Sequence, residues 1–246
     1  MKQTVFTILE NVPLTKDVYR MKLAGDTEAI TAPGQFVNLR LDGFYLRRPI
    51  SVCDREEGVL TLIYKVVGHG TAAMAQYGTG GKLDVLTGLG NGYDTEKSGD
   101  RPLLIGGGVG VPPLYLLAKE LTAQGKQVTV VLGFRTAHDA FYADEFAALG
   151  AKVLVTTEDG SLGTKGFVTD AFAEAGDYTH TYACGPMPML RAVYNASKTS
   201  GQYSFEERMG CGFGACMGCS CKTLYGNKRI CRDGPVLMKE EIVWEK

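Results

Sequence analysis

Residues 102–118 read PLLIGGGVGVPPLYLLA, and this uncharged stretch decides the fold of the second half of the chain. The short apolar run 102–105 is typical of a buried strand. A glycine-rich turn follows, and the prolines at 112 and 113 suit the first positions of a helix. The stretch contains four glycines and three prolines and falls short of the about 20 apolar residues of a membrane span, so we exclude one here. The stretch therefore predicts a strand, a phosphate-binding turn and a helix.

Strands and helices alternate regularly after this stretch. Apolar runs predict further strands over 127–134, 152–157 and 178–184, and helical spacing predicts helices over 113–121, 139–149 and 188–197. Such alternation is typical of a parallel sheet with crossover helices. We therefore predict a nucleotide-binding α/β domain over residues 99–203.

The glycine turn is predicted to bind the phosphates of a nucleotide, because it opens a helix directly after a strand. The binding residues in this interpretation are Gly106, Gly107, Gly108 and Gly110. The turn departs from the G-x-G-x-x-G fingerprint, and the next strand ends on Gly133-Phe-Arg135 without an acidic residue for a ribose. NAD and NADP both stay open, and a turn that serves only packing is the alternative.

The first hundred residues have the character of β-structure. Gln35–Leu41 alternates apolar and polar residues, and Val59–Val67 is a second β-rich run. Several short strands separated by turns predict a small antiparallel barrel or sandwich, which we place over residues 1–98. The polar segment Asp94–Arg101 has the composition of a linker to the α/β domain.

Five of the seven cysteines lie between residues 211 and 231. Their spacing, C-x4-C-x2-C with a more distant fourth cysteine, is that of plant-type [2Fe–2S] proteins. The predicted iron ligands are Cys211, Cys216, Cys219 and Cys231, within a small cluster domain over 204–246. A structural zinc site is the alternative, although zinc sites prefer two C-x2-C pairs and only one is present. Cys221 does not fit the spacing and is interpreted as a bystander.

Two short motifs in the predicted barrel resemble flavoproteins of the ferredoxin reductase type. Residues 48–51 match the R-x-x-S pattern, and residues 63–65 end a strand before a G-x-G-T turn. The resemblance implies bound FAD, with an arginine on the pyrophosphate and a serine hydroxyl near the isoalloxazine ring. The FAD-binding residues it implies are Arg48, Pro49, Ile50, Ser51, Ile63, Tyr64, Lys65, Gly70 and Thr71. His69 within the turn is interpreted as a solvated loop residue.

A C-G-P turn ends the last predicted strand of the α/β domain. In the same type of flavoprotein this turn lies beside the nicotinamide, which implies that Cys184, Gly185 and Pro186 contact the cofactor. Cys184 would then position the nicotinamide without acting as a nucleophile or an iron ligand. Ser51 and Cys184 are accordingly the residues expected at the hydride-transfer site.

The order of all these motifs resembles the electron-transfer subunits of dihydroorotate dehydrogenase B, and the resemblance covers nearly the whole chain. Residues 207–216 and 231–236 are especially similar. It implies an oxidoreductase subunit that moves electrons between NAD(H), FAD and a [2Fe–2S] cluster in pyrimidine biosynthesis. It further implies a partner subunit that carries FMN and oxidises dihydroorotate, in a heterotetramer with two subunits of each kind.

Composition limits the other functions. The net charge of −1 gives no reason to expect binding to nucleic acid, and the N-terminus lacks the pattern of a secretory signal, so we expect a cytoplasmic protein without a membrane anchor. One rival is a reductase that delivers electrons to ferredoxin, sulfite reductase or a hydrogenase. In the bifurcating relatives of that kind an aspartate replaces the first cluster cysteine, which is Cys211 here. The other rival is a zinc-stabilised interaction module.

Overall fold

The structure is a computed structural model that describes residues 1–244. Its first strands are β1 (Lys2–Pro13), β2 (Val18–Ala24), β3 (Phe36–Leu39), β4 (Arg48–Glu56), β5 (Val59–Lys65) and β6 (Lys82–Leu89). They form a closed antiparallel barrel in the order β1-β2-β5-β4-β3-β6, and the short helix α1 (His69–Met74) follows β5. Side chains that alternate along each strand fill the barrel, as Leu60, Leu62 and Tyr64 do from β5.

The rest of the chain is built on a second sheet. Its elements in chain order are β7 (Pro102–Gly107), α2 (Pro113–Ala123), β8 (Thr129–Phe134), α3 (Ala143–Ala148), β9 (Lys152–Thr157), β10 (Thr164–Lys165), α4 (Phe172–Ala175), β11 (His180–Cys184), α5 (Met187–Ala196), β12 (Gly201–Ser204), β13 (Ser220–Thr223), β14 (Gly226–Arg229), α6 (Ile230–Asp233) and β15 (Val236–Met238). The sheet order is β10-β9-β8-β7-β11-β12-β15, and β13 and β14 form a separate hairpin. All neighbours in the large sheet are parallel except β12 and β15. This confirms the predicted barrel and parallel-sheet architecture.

The helix predicted over 139–149 is shorter than expected. A 3-10 turn occupies Ala137–Asp139, and Tyr142 takes a left-handed conformation with φ 68° immediately before α3. The Asp139 carboxylate accepts a hydrogen bond from the Thr136 N–H at 3.1 Å, which closes the turn on itself. Local side-chain bonding therefore competes with helix at this point.

The segment interpreted as a linker is held firmly in place. Residues 95–98 form a 3-10 turn, and the Asp94 carbonyl accepts hydrogen bonds from Tyr182 Oη and Gln202 Nε2, both at 2.9 Å. The backbone of this segment is therefore bonded directly to the large sheet.

The C-terminal segment is tied to both larger units. Strand β15 lies within it and pairs antiparallel with β12, so it forms one edge of the large sheet. Asn91, at the end of the barrel, donates to the Val236 carbonyl at 2.8 Å and accepts from the Val236 N–H at 3.1 Å. Within residues 1–244, no helix combines the length and the apolar character needed to cross a membrane.

Candidate functional site

A gap opens between β4 and β5 beside the R-x-x-S motif. The ladder between these strands ends at the Val52–Leu62 pair, beyond which residues 48–51 and 63–65 face each other without pairing. The outer edges of the two segments remain paired with β3 and β2. Backbone donors and acceptors therefore line both sides of the gap, which suits a flat ring that carries its own donors and acceptors.

A positively charged end of this gap is formed by Arg48 and the start of α1. A Cβ added to Gly70 would lie 2.1 Å from Arg48 Nε, so only glycine lets the guanidinium pack there. The Thr71 hydroxyl accepts hydrogen bonds from the N–H groups of Val67 at 2.9 Å and Gly68 at 3.3 Å. An arginine guanidinium at the start of a helix can bind a pyrophosphate.

Not every residue implied for the flavin directs its side chain into the gap. The Tyr64 side chain is 2% exposed, packs inside the barrel and donates to Asn11 Oδ1 at 2.9 Å. Burial raises its pKa to about 12. Tyr64 can therefore reach the gap only through its backbone. Lys65 forms an ion pair with Asp17 at 3.1 Å, and His69 is exposed, as predicted.

The glycine turn and the C-G-P turn are in direct contact. Gly106 and Gly107 complete β7, and residues 108–110 form a 3-10 turn. A Cβ on Gly110 would lie 2.2 Å from the Cys184 carbonyl oxygen, and one on Gly107 would lie 3.3 Å from Pro186 Cδ. The sheet therefore brings together two motifs that lie more than seventy residues apart in the sequence.

Two residues that the sequence analysis missed surround Cys184. It pairs with Ser204 across the β11–β12 ladder, and the side chains of Ser204 and Tyr93 lie near enough to its thiol to affect its pKa. The Tyr93 hydroxyl also donates to the Ala183 carbonyl at 3.2 Å. Burial raises the pKa of Cys184 to about 12, so the thiol is neutral at pH 7 and is not an activated nucleophile.

The four predicted ligands form two pairs. Cys211 Sγ accepts from the Cys216 N–H at 3.4 Å, and Cys216 Sγ accepts from the Cys211 N–H at 3.5 Å. Cys219 Sγ accepts from the Cys231 N–H at 3.4 Å. In the described part of the chain, no three cysteine, histidine or acidic side chains converge closely enough to hold one metal ion. Two pairs suit a two-iron cluster, in which each iron takes two thiolates, better than a single tetrahedral zinc.

The two pairs have different surroundings. Cys219 and Cys231 are each 2% exposed. Burial is the main cause, and the neighbouring Cys219 the second, of a Cys231 pKa that is raised to about 12. Burial also acts to raise the pKa of Cys211, but hydrogen bonds from nearby backbone N–H groups and from Cys216 outweigh it and lower that pKa to about 6. Backbone N–H groups directed at sulfur favour the thiolate that binds iron. Cys221 lies in β13 and its thiol points to the Lys222 carbonyl at 3.7 Å.

Two family models match parts of the chain. Residues 206–243 match the iron–sulfur cluster binding domain of dihydroorotate dehydrogenase B, and residues 104–195 match the oxidoreductase NAD-binding domain. These matches cover the paired cysteines and most of the large sheet.

Relatives match this chain over nearly its whole length. The chain is 44% identical to a dihydroorotate dehydrogenase B (NAD(+)) electron transfer subunit from Fusobacterium nucleatum subsp. nucleatum, over 98% of this chain and 99% of the relative. A protein of the same name from Bacillus caldolyticus is 45% identical, over 96% and 97%. Among solved structures, an NADH-dependent reduced ferredoxin-NADP oxidoreductase studied for flavin-based electron bifurcation has a TM-score of 0.88 and 32% identity, over 98% of this chain and 90% of that one.

These findings agree with the motifs and the geometry. The chain is an electron-transfer oxidoreductase of the ferredoxin reductase-like fold, and its cofactors are FAD, an iron–sulfur cluster and NAD. The bifurcating oxidoreductase is related to it in fold. The chain belongs to the family of electron transfer subunits of dihydroorotate dehydrogenase B (NAD(+)).

Proposed function

We propose that this chain passes electrons between NAD(H) and a separate subunit that contains FMN and oxidises dihydroorotate to orotate. The observation that supports it best is the position of Phe36. Phe36 is the cross-strand partner of Ser51 in the flavin motif, and it belongs to the same hydrophobic cluster as Cys219 and Cys231. The strand that pairs with the flavin motif therefore shares a hydrophobic core with two of the predicted iron ligands.

Each cofactor has a proposed set of residues. The cluster is held by Cys211, Cys216, Cys219 and Cys231. The FAD pyrophosphate is held by Arg48, Gly70 and Thr71, and its ring lies among Pro49, Ile50, Ser51, Ile63, Tyr64 and Lys65. The NAD pyrophosphate lies on Gly106, Gly107, Gly108 and Gly110, and the nicotinamide lies beside Cys184, Gly185 and Pro186. These assignments divide the chain into FAD, NAD and cluster regions over 1–98, 99–203 and 204–246.

The chemistry is divided between the bound groups and the chain. When bound, the flavin exchanges a hydride, which is two electrons and a proton, with the nicotinamide, and the cluster exchanges electrons one at a time. The protein orients the reacting rings. Ser51 offers a hydroxyl at the flavin gap, and the neutral thiol of Cys184 packs beside the nicotinamide without attacking it. The close approach of Gly110 to the Cys184 carbonyl fixes the position of the glycine turn relative to the C-G-P turn.

The assembly is proposed to be a heterotetramer in the cytoplasm, with two subunits of each kind, that serves pyrimidine biosynthesis. Its net flow of electrons runs from dihydroorotate to NAD⁺. The relatives' name of electron transfer subunit supports a catalytic partner. The clustering of five cysteines, of which Cys216 is exposed and Cys219 and Cys231 are buried, supports a reducing compartment.

The test is anaerobic purification with the product of the neighbouring reading frame. We expect iron, inorganic sulfide and FAD in this chain, FMN in the partner, and bleaching of the flavin band by NADH. Cys219→Ala should keep the bleaching and abolish reduction of NAD⁺ by dihydroorotate. A colourless chain, or a flavin that NADH does not bleach, would contradict the proposal.

A further inference from the structure

Asn38 lies between the flavin motif and the cysteine segment. It belongs to β3, is the cross-strand partner of Pro49 in the R-x-x-S motif, and is 1% exposed. Its neighbours Val37 and Leu39 point into the barrel core. Because side chains alternate along a strand, Asn38 points out of the barrel, on the same face as Phe36.

The carboxamide of Asn38 contacts the backbone of the first predicted iron ligand. Asn38 Nδ2 donates to the Cys211 carbonyl at 3.3 Å. The next residue, Gly212, has φ +78°, and a Cβ there would lie 2.3 Å from Asn38 Nδ2. The cysteine loop is therefore shaped to admit this carboxamide, and a larger residue at 212 would exclude it.

The other side of the amide indicates why asparagine stands here. Among the described residues, Asn38 Oδ1 has no hydrogen-bond partner although it is buried. A buried acceptor without a partner is costly, and an apolar side chain of the same shape would avoid that cost. The amide N–H is thus the feature of Asn38 that a leucine could not replace.

The strand that carries Asn38 is itself braced. Arg47 Nη1 donates to the Asn38 carbonyl at 3.3 Å and to Asp84 Oδ1 at 3.0 Å. The same nitrogen donates to the Asp84 carbonyl at 3.1 Å. Arg47 therefore ties β3 to β6 at the level of Asn38, so the carboxamide extends from a fixed point.

We propose that Asn38 is a positioning residue for electron transfer, which holds Cys211 at a fixed place relative to the Arg48–Ser51 strand. The proposal rests on the proposed function, in that the four cysteines hold a cluster and the gap holds a flavin. Residues outside the ligand set that orient a ligand typically change metal affinity or activity by about 10- to 100-fold when replaced.

The test compares three variants of the anaerobically purified chain. Asn38→Leu keeps the branched shape and the number of side-chain heavy atoms and removes the N–H, whereas Asn38→His restores an N–H donor. Asn91→Leu is the matched control, because Asn91 also joins the barrel to the C-terminal segment but bonds Val236 rather than a cysteine. The readouts are iron, sulfide and FAD content, the electron paramagnetic resonance spectrum and reduction potential of the cluster, and the rate of cluster reduction after NADH is added.

We expect Asn38→Leu to bind FAD, to shift the resonance spectrum and the potential, and to reduce its cluster about 10-fold more slowly. Asn38→His should recover most of each change, and Asn91→Leu should lower thermal stability without altering the spectrum. An Asn38→Leu protein identical to wild type, an Asn91→Leu protein with the same spectral shift, or equal impairment in Asn38→Leu and Asn38→His would overturn the inference. A wild-type chain without iron and sulfide would instead overturn the proposed function.

Discussion

The nucleotide-binding turns and the cysteine segment obtain their shapes in opposite ways. At the turns, backbone approaches backbone, with Gly110 against the Cys184 carbonyl at the ends of buried parallel strands. In the cysteine segment, regular structure before α6 is limited to the β13–β14 hairpin, and many close contacts are between N–H groups and sulfur. The comparison indicates that sterics preform the first site, whereas the second depends on what its thiols bind.

Gly110→Ala is the largest expected perturbation of the sterically formed site. The added Cβ would lie 2.2 Å from the Cys184 carbonyl oxygen, so the two turns must separate. We expect flavin reduction by NADH to slow by about 100-fold, the scale typical of a displacement near 1 Å at a reacting site. Stopped-flow absorbance at the flavin band measures it.

Gly108→Ala is the control for that variant. Gly108 has φ +53°, and no atom lies within 4 Å of an added Cβ. Within the protein its alanine meets only a backbone penalty. Because Gly108 also belongs to the proposed pyrophosphate set, the two variants are compared at saturating NADH, where the Gly108→Ala rate should fall much less. Equal losses at the two positions would show that flexibility of the turn, rather than contact with Cys184, controls the site.

Removal of iron is the next largest perturbation that we expect, and it should affect the cysteine segment but not the barrel or the large sheet. Because metal binding contributes to folding where thiols organise a segment, the chelated protein should be cleaved about tenfold faster within residues 206–229. The barrel and large sheet should stay intact, and NADH should still bleach the flavin. Limited proteolysis with mass spectrometry measures the sites. Cleavage distributed evenly over both regions would contradict the comparison.

Asp84→Asn should have a smaller effect, which is on the free energy of unfolding. Asp84 bonds Arg47 on the barrel face that supports the cysteine loop. Burial acts to raise the pKa of Asp84, but hydrogen bonds from Arg47 and Gln3, with the charges of Arg47 and Arg40, lower it below the usual 3.8. A depressed carboxyl pKa stabilises the fold above the unfolded pKa and loses that contribution as pH falls through the folded value.

We therefore expect Asp84→Asn to lower the free energy of unfolding by about 0.5 kcal/mol near pH 7, since the pair is partly exposed. The difference from wild type should shrink as the pH falls below 3.8. Urea unfolding at several pH values measures it. A difference that is constant from pH 7 to pH 3 would exclude the charge as its cause.

Met217→Gly should give a change no larger than that of Asp84→Asn, and it should be a gain. Met217 has φ 61° in the cysteine loop, a conformation that costs a residue with a Cβ about 1 kcal/mol. Glycine removes that cost but loses more entropy on folding, so we expect a net stabilisation of about 0.5 kcal/mol. Met217→Ala removes the side chain and keeps the backbone penalty. Thermal unfolding should rank glycine above alanine, and the reverse order would show that the loop is not strained there.

Much of the site could be predicted because its motifs are local. The glycine turn, the start of β4 and the cysteine spacing each depend on a few consecutive residues whose backbone or ligand requirements are specific. Tyr64 shows what a motif alone leaves open, which is the direction of the side chain. Its alternation with Leu60 and Leu62 along β5 predicts an inward side chain, whereas the resemblance alone assigned it to the flavin.

Contacts between distant segments account for what the sequence did not indicate. Asn38 falls on the polar phase of an alternating strand, which normally faces water, yet the cysteine loop covers it. Ser204 and Tyr93 belong to no motif. Ser204 lies beside Cys184 because β11 pairs with β12, and Tyr93 lies there because the segment after the barrel packs against β11. Such partners depend on tertiary packing, which periodicity does not encode.

The pairing of β15 with β12 has a consequence for any shortened form of this chain. A strand left at the rim of a sheet presents a row of unsatisfied N–H and C=O groups that recruits other molecules. Deleting the residues after 205 would uncover β12, whose four residues are all buried in the intact chain. A shortened protein of residues 1–205, which keeps the barrel and most of the large sheet, would therefore be prone to self-association, even with all of the proposed FAD and NAD residues preserved.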